Sequence, residues 1–264
     1  MELVVQNLNY QYKNQYLLKN ISFMLTDNYI YGLMGKNKTL LLELIDDLKN
    51  YEGTISINGI TNKEKHSYRQ SIALIKQNNE FFTNKVIDEM NFLVKNLKYQ
   101  NKDIRKKQID SLNLVGLDKT YLTRNIDTLS ETEKVLINIA CNLLTNPKVI
   151  IFDEVFTNLD LINKKRLMDL IRRLKNNYGK IVIISSNNTN LLYSYTDYML
   201  VLTNNELSKF DITDKVFKDI KFLNNNNFDI PYLVDFTKKA KDKKIRLMYH
   251  KDILDLIKDV YKHV

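Results

Sequence analysis

The stretch YGLMGKNKTLLLELI, residues 31–45, runs an apolar strand into Gly35 and opens an apolar helical run at a Lys-Thr pair. Strand, glycine turn, Lys-[Ser/Thr] and helix follow the order of the phosphate-cradling pattern Gly-x-x-x-x-Gly-Lys-[Ser/Thr]. That pattern is long because successive backbone N–H groups must surround an anion. Here only Lys36 and Asn37 separate Gly35 from Lys38. Keeping KTLLLELI in helical register puts Lys38 and Thr39 at the phosphate-lysine and hydroxyl positions, with Leu40 next. Three residues are then absent between Asn37 and Lys38, or about 10 Å of contour. The shortened link predicts a plain strand–turn–helix in which Asn37 caps the helix start. Pairing Gly35 with Lys36 instead would set Asn37 at the hydroxyl position and spoil the apolar register.

Glycine is scarce everywhere, six in 264 residues, well below the usual frequency of roughly 7%. Phosphate loops rely on glycine for close backbone approach, so this chain has given up part of that equipment. Its 44% hydrophobic and 27% charged residues suit a soluble globular protein of one large domain, or one domain with a small appendage. The chain contains no apolar run long enough to encode a membrane helix. The opening MELVVQNLNYQY is not expected to act as a signal peptide. A single Cys141 leaves no internal disulfide partner and fits a reducing compartment. The net charge of +9 comes mostly from lysines spread along the chain; its one cluster, KKAKDKKIR at 238–246, is broken by Asp242. That reads as compositional bias, not a nucleic-acid patch.

Outward from the opening stretch, ELVVQNLNYQY and LLKNISFML have period-two strand spacing. GTISING and SIALIKQ read as further strands, and residues 85–115 as helical. A helix from about 131 to 145 leads into the strand KVIIFDE. Helix 161–177 and the strands KIVIISS and YMLVLTNNEL complete a βαβ alternation, which predicts a largely parallel sheet. Beyond residue 210 come two or three short helical runs around an Asn-rich joint at 224–227.

KVIIFDE offers two acids at the end of a buried strand, a pairing that can hold a metal and polarise water or can simply be solvated. In order along the chain, Tyr12, GLMGKN…KT, LIKQ, LSETEK, IIFDE, TNLD and IISSN fall at the spacings of an ATP-binding cassette. Over residues 2–210 the chain resembles the ATPase subunits of ABC transporters. QNNEFFTNKVIDEMNFLVKNL and the tail DKVFKDIKFLNNNNFDIPYLVDFTKKA are most similar to the ATPases of energy-coupling-factor importers, which drive vitamin and metal uptake. The resemblance implies an α/β, P-loop NTPase-like fold over residues 1–210. It would have a mostly parallel sheet, an antiparallel β subdomain and a helical subdomain, followed by a helical appendage over 211–264.

The resemblance also assigns roles. Tyr12 matches the aromatic that stacks on adenine, or is an ordinary packing tyrosine. Gly35, Asn37, Lys38, Thr39 and Leu40 hold the phosphate-loop positions, with Thr39, Gln77 and Asp153 toward Mg²⁺. Glu154 matches the general base, and Asn158, Leu159 and Asp160 match the loop that crosses the dimer interface. Three motifs are damaged. The phosphate loop is short. The signature loop, normally Leu-Ser-Gly-Gly-Gln, reads Leu129-Ser130-Glu131-Thr132-Glu133, so that Ser130 and Glu133 form a capping box and Glu131 adds charge where a phosphate belongs. Asn187 stands at the switch-histidine position and cannot carry a proton; His66, His250 and His263 lie elsewhere in the sequence. Val155-Phe156 replaces a Pro-Thr pair and reads as a packing change.

The implied cofactors are ATP and Mg²⁺, with binding weakened or lost. The implied partners are a second ATPase subunit and transmembrane coupling and substrate-binding subunits, at the cytoplasmic face of the membrane. Three functions stay open: a degenerate member of a heterodimeric ATPase pair, a non-catalytic structural or regulatory subunit, and a nucleic-acid-associated cassette. The last is disfavoured because proteins of that type carry two cassettes.

Overall fold

The fold was obtained as a computed structural model that describes residues 1–77, 80–157 and 159–262. Two sheets organise it. The smaller is antiparallel, with β1 (Glu2–Tyr12) between β2 (Gln15–Thr26) and β4 (Glu52–Ile57), and the two-residue β5 (Ile60–Thr61) on the outer side of β4. Its strands alternate between buried and exposed positions, as expected where one face meets the core.

The larger sheet has the order β10-β9-β3-β8-β7-β6. β3 (Ile30–Gly35), β6 (Ile72–Lys76), β7 (Val149–Asp153), β8 (Ile181–Ser185) and β9 (Tyr198–Thr203) are parallel, and β10 (Glu206–Ile212) closes one edge antiparallel to β9. β7 and β8 are buried at every position. Continuous VIIFD and IVIIS runs allow this because helices cover both faces. YMLVLTNNEL is not one strand, as the sequence suggested: Asn204 and Asn205 both take positive φ (51° and 65°) and turn β9 back into β10. Two consecutive left-handed residues make the two-residue hairpin turn whose twist suits the flanking strands.

Helix α1 (Lys38–Ile45) buries Leu41, Leu42, Leu44 and Ile45 between the sheets, each worth about 1.5–3 kcal/mol relative to exposure. The short α2 (Lys65–Gln70) precedes β6. The helical region expected over 85–115 is two helices, α3 (Val86–Asn96) and α4 (Ile104–Leu114), followed by α5 (Glu131–Leu143). α6 (Leu161–Tyr178) and α7 (Thr189–Tyr195) bracket β8. The tail holds four helices: α8 (Thr213–Lys218), α9 (Ile220–Asn225), α10 (Tyr232–Asp242) and α11 (Ile253–Tyr261). Val216, Phe217, Leu223 and Val234 from this tail share the main core with β7, α5 and α6. Ala240, Leu247 and Leu256 form a small cluster of their own. No helix among the described residues is long and apolar enough to cross a membrane.

Asparagine does much of the turning. Among the described residues it supplies ten of the fifteen non-glycine positions with positive φ, including Asn37, Asn58 and Asn227. Its short polar side chain tolerates the left-handed region better than other residues with a Cβ.

Candidate phosphate-loop cleft

β3 delivers Gly35 to the end of the parallel sheet with φ +112°, where a Cβ would lie 2.0 Å from the Leu202 carbonyl oxygen. Glycine is therefore required here by the neighbouring strand β9, whatever the turn binds. The helix then starts at Lys38, in the register read from the sequence. Asn37 does not cap it. Its backbone is left-handed (φ 64°), and its side chain donates away from the helix, to the Leu17 carbonyl at 2.8 Å and Asn205 Oδ1 at 3.1 Å. The amide ties the turn to β2 and to the β9–β10 hairpin instead. No side chain caps the first turn of α1, so its backbone N–H groups remain available at the positive end of the helix dipole.

These groups open into a cleft of about 580 Å³ lined by Gly35, Asn37, Lys38, Thr39, Leu40 and Asn187, among others. Thr189 also lines it and is buried, with a hydroxyl that has no hydrogen-bond partner. An uncapped helix start and an orphaned buried hydroxyl fit the phosphate end of a ligand. The N–H groups of Lys38–Leu40 would hold it, with Thr39 in the lining, and Asp153 beyond the lining at the end of β7, as the oxygens for an accompanying Mg²⁺.

The lysine, however, is engaged. Lys38 Nζ donates to Asn187 Oδ1 at 2.8 Å and lies 3.1 Å from Glu154 Oε1. Both ion-pair side chains are largely shielded, 11% and 19% exposed. Glu154 Oε1 is buried and has no aligned hydrogen-bond donor, so the ammonium is its electrostatic partner without being a well-directed one. The other oxygen, Oε2, accepts from Thr157 Oγ1 at 3.2 Å and Ser186 Oγ at 3.5 Å. Glu154 itself has φ +54°, a strained backbone for a glutamate. Asp153 is buried at the end of β7 and accepts a hydrogen bond from the Ser185 hydroxyl. Sequence reasoning missed the roles of Ser185 and Ser186 although it quoted IISSN; two hydroxyls at the end of a strand beside the acids were the available signal.

Other expected residues lie apart from the cleft lining. The backbone N–H of Gln77 donates to the Asp153 carbonyl at 3.0 Å, which sets the end of β6 beside the acids. Tyr12 is 57% exposed at the end of β1, with Lys13 Nζ 5.5 Å from its ring centroid. Asn158 lies outside the described residues; its neighbour Leu159 is buried, and Asp160 caps α6 by accepting from Asn163 N at 2.8 Å. Val155 and Phe156 are buried in the main core, as a packing change requires. His66 lines a separate groove and His250 pairs with Asp259 in the tail; His263 is outside the described residues.

Ser130 starts α5, where the expected capping box is complete. Ser130 Oγ accepts from Glu133 N at 3.3 Å, and Glu133 Oε2 accepts from Ser130 N at 2.8 Å. Glu133 Oε1 also accepts from Tyr121 OH at 2.6 Å. The Tyr121 hydroxyl, with the Ser130 donors, pulls the Glu133 carboxyl down to about 2. Of the two helix starts that a nucleotide sandwich would use, one has no side-chain cap, and at the other the chain's own side chains take the Ser130 and Glu133 N–H groups.

A second groove of about 500 Å³ lies between α2 and α3, with Arg69, Leu74, Phe82 and Phe92 on its walls. Phe82 is 71% exposed, and its loop is fixed by Glu89 Oε2, which accepts from the N–H groups of Phe82 and Thr83 at 3.0 Å.

Comparison with known proteins places this geometry. The family profile described as ABC transporter matches residues 18–157. An ABC transporter ATP-binding protein of Pyrococcus furiosus is 34% identical over 242 residues, 88% of each chain. An energy-coupling factor transporter ATP-binding protein of Fusobacterium nucleatum is 31% identical over 272 aligned positions, covering 98% of each. Among solved structures, cbiO1 from Clostridium perfringens, part of the ABC transporter complex cbiONQ, superposes with a TM-score of 0.73 at 23% identity, covering 89% of this chain and 98% of that one.

Proposed function

Since the chain belongs to the ABC transporter ATP-binding family, we propose that it is a degenerate ATP-binding subunit of an energy-coupling-factor-type importer. In this reading it works beside a second, catalytically complete cassette. The observation that carries it is the Lys38–Glu154 pair: the lysine expected to bind phosphate instead neutralises the carboxylate expected to act as base.

A bound Mg-ATP supplies the energy that closes two cassettes on each other. This chain's own residues divide the remaining tasks unevenly. The open start of α1 would bind a phosphate end, and Asp153, held by the Ser185 hydroxyl, would supply an oxygen to the accompanying metal. Glu154 stays paired to Lys38, and Asn187 orients by hydrogen bonding without transferring a proton. The start of α5 spends its Ser130 and Glu133 N–H groups on its own capping box, which leaves fewer for a partner's nucleotide, and Glu131 repels one. In this reading the groove carrying Phe82 and Phe92 seats a helix of the transmembrane coupling subunit, with the protein at the cytoplasmic face of the membrane. Vitamins and metal ions are the solute classes that follow from the energy-coupling-factor kinship.

Steady-state ATP turnover tests this. The purified chain alone is expected to be inactive, and the pair with its partner ATPase active. Robust turnover by the isolated chain overturns the proposal. The capping box at the start of α5 also favours a second reading, a structural subunit that binds no nucleotide. A thermal-shift titration separates the two, because a ligand that binds only the native state raises its melting temperature.

A further inference from the structure

One wall of the phosphate-loop cleft comes from the tail of the same chain. Asn227, Phe228 and Asp229, between α9 and α10, line it together with Lys36 and the first turn of α1. The fold holds this joint in place. Asn227 takes φ +56°, Phe228 N donates to the Leu223 carbonyl at 2.9 Å, and the Phe228 ring packs on the main core. At the start of α10, Tyr232 N donates to Asn190 Oδ1 at 2.7 Å. Asn190 sits in α7 directly after Thr189, whose unpartnered hydroxyl belongs to the same cleft.

Lys36 and Asp229 make no ion pair among the described residues. The cleft therefore offers N–H groups and a free ammonium to an anion, and a free carboxylate against it. Asp229 is exposed on the cleft wall, carried by a backbone held at Phe228 and Tyr232, and repulsion from its carboxylate grows with each negative charge a ligand brings. We propose that Asp229 is a specificity-determining residue of this cleft, selecting among phosphorylated ligands by charge and disfavouring a triphosphate relative to a diphosphate. The proposal rests on the reading above that the cleft receives nucleotide phosphates.

Calorimetric titration of the 264-residue chain with Mg-ATP and with Mg-ADP tests it, using the wild type, Asp229→Asn and Asp229→Ser. Both substitutions are expected to tighten ATP binding about tenfold and ADP binding clearly less. The gain in the ATP-to-ADP affinity ratio should shrink as salt screens it. A purely structural role for the joint would move both affinities together. An unchanged ratio in both variants, with binding intact, overturns the proposal alone. Absence of any nucleotide binding in all three proteins overturns it together with the ATP-binding reading.

Discussion

Lys38 and Glu154 decide what this molecule can do at the level of single side chains. Their pairing is shielded, so breaking it from either side leaves a partly buried charge. Lys38→Met is expected to cost about 2 kcal/mol in urea denaturation. The double variant Lys38→Met/Glu154→Gln should cost less than the sum of its parts by at least ~1 kcal/mol; strict additivity would mean the two groups do not interact. Glu133 makes a second prediction. Its carboxyl is held down to about 2 in the folded protein, against an ordinary 4.5. The stabilisation is therefore present above 4.5 and is lost as pH falls from there toward 2. Glu133→Gln should lower stability by about 1 kcal/mol at pH 7, and the gap to wild type should close in acid. A gap independent of pH would show that the carboxylate charge is irrelevant to the cap.

Among elements, the turn from β3 into α1 is the one whose length sets the chemistry. Inserting Gly-Ser-Gly between Asn37 and Lys38 would return the missing contour. It should tighten Mg-ATP binding at least ~tenfold, read by fluorescence titration, since more amides could then surround the phosphates. No gain would place the defect in the Lys38–Glu154 pair instead. The elements themselves were largely legible in the sequence. VIIFD and IVIIS, short and rich in β-branched residues, read as buried strands, and Ser130-x-x-Glu133 is a local signature that forms as written. What escaped depends on distant partners. The Asn37 amide is drawn to Leu17 and Asn205, far away along the chain, and so abandons the helix it precedes. The β9–β10 hairpin was hidden because its turn is Asn-Asn and contains no glycine. The wall formed by residues 227–229 had no signal beyond an Asn-rich composition.

For the whole molecule, stability should depend on pH through Asp46, at the C-terminal end of α1 in the groove between α2 and α3. Burial pushes its carboxyl up to about 7 from an ordinary 3.8. A raised acid favours the folded state fully below 3.8, and that advantage is lost as pH rises through 7. Asp46→Asn should therefore raise the urea midpoint at pH 8 and leave it nearly unchanged at pH 4. The reverse pattern would show that Asp46 is stabilised as an anion. The asparagine-built bends carry a different liability, one of ageing. A side-chain amide followed by glycine, which has no side chain to hinder ring closure, is prone to cyclise and hydrolyse to a carboxylate, and Asn58 precedes Gly59 in such a bend. Asn58 Oδ1 also accepts from the Glu2 backbone N–H at 2.8 Å. Peptide mapping of stored protein should find conversion concentrated at residue 58, where the isoaspartyl product, by routing the backbone through the side chain, would displace the acceptor that holds the Glu2 N–H.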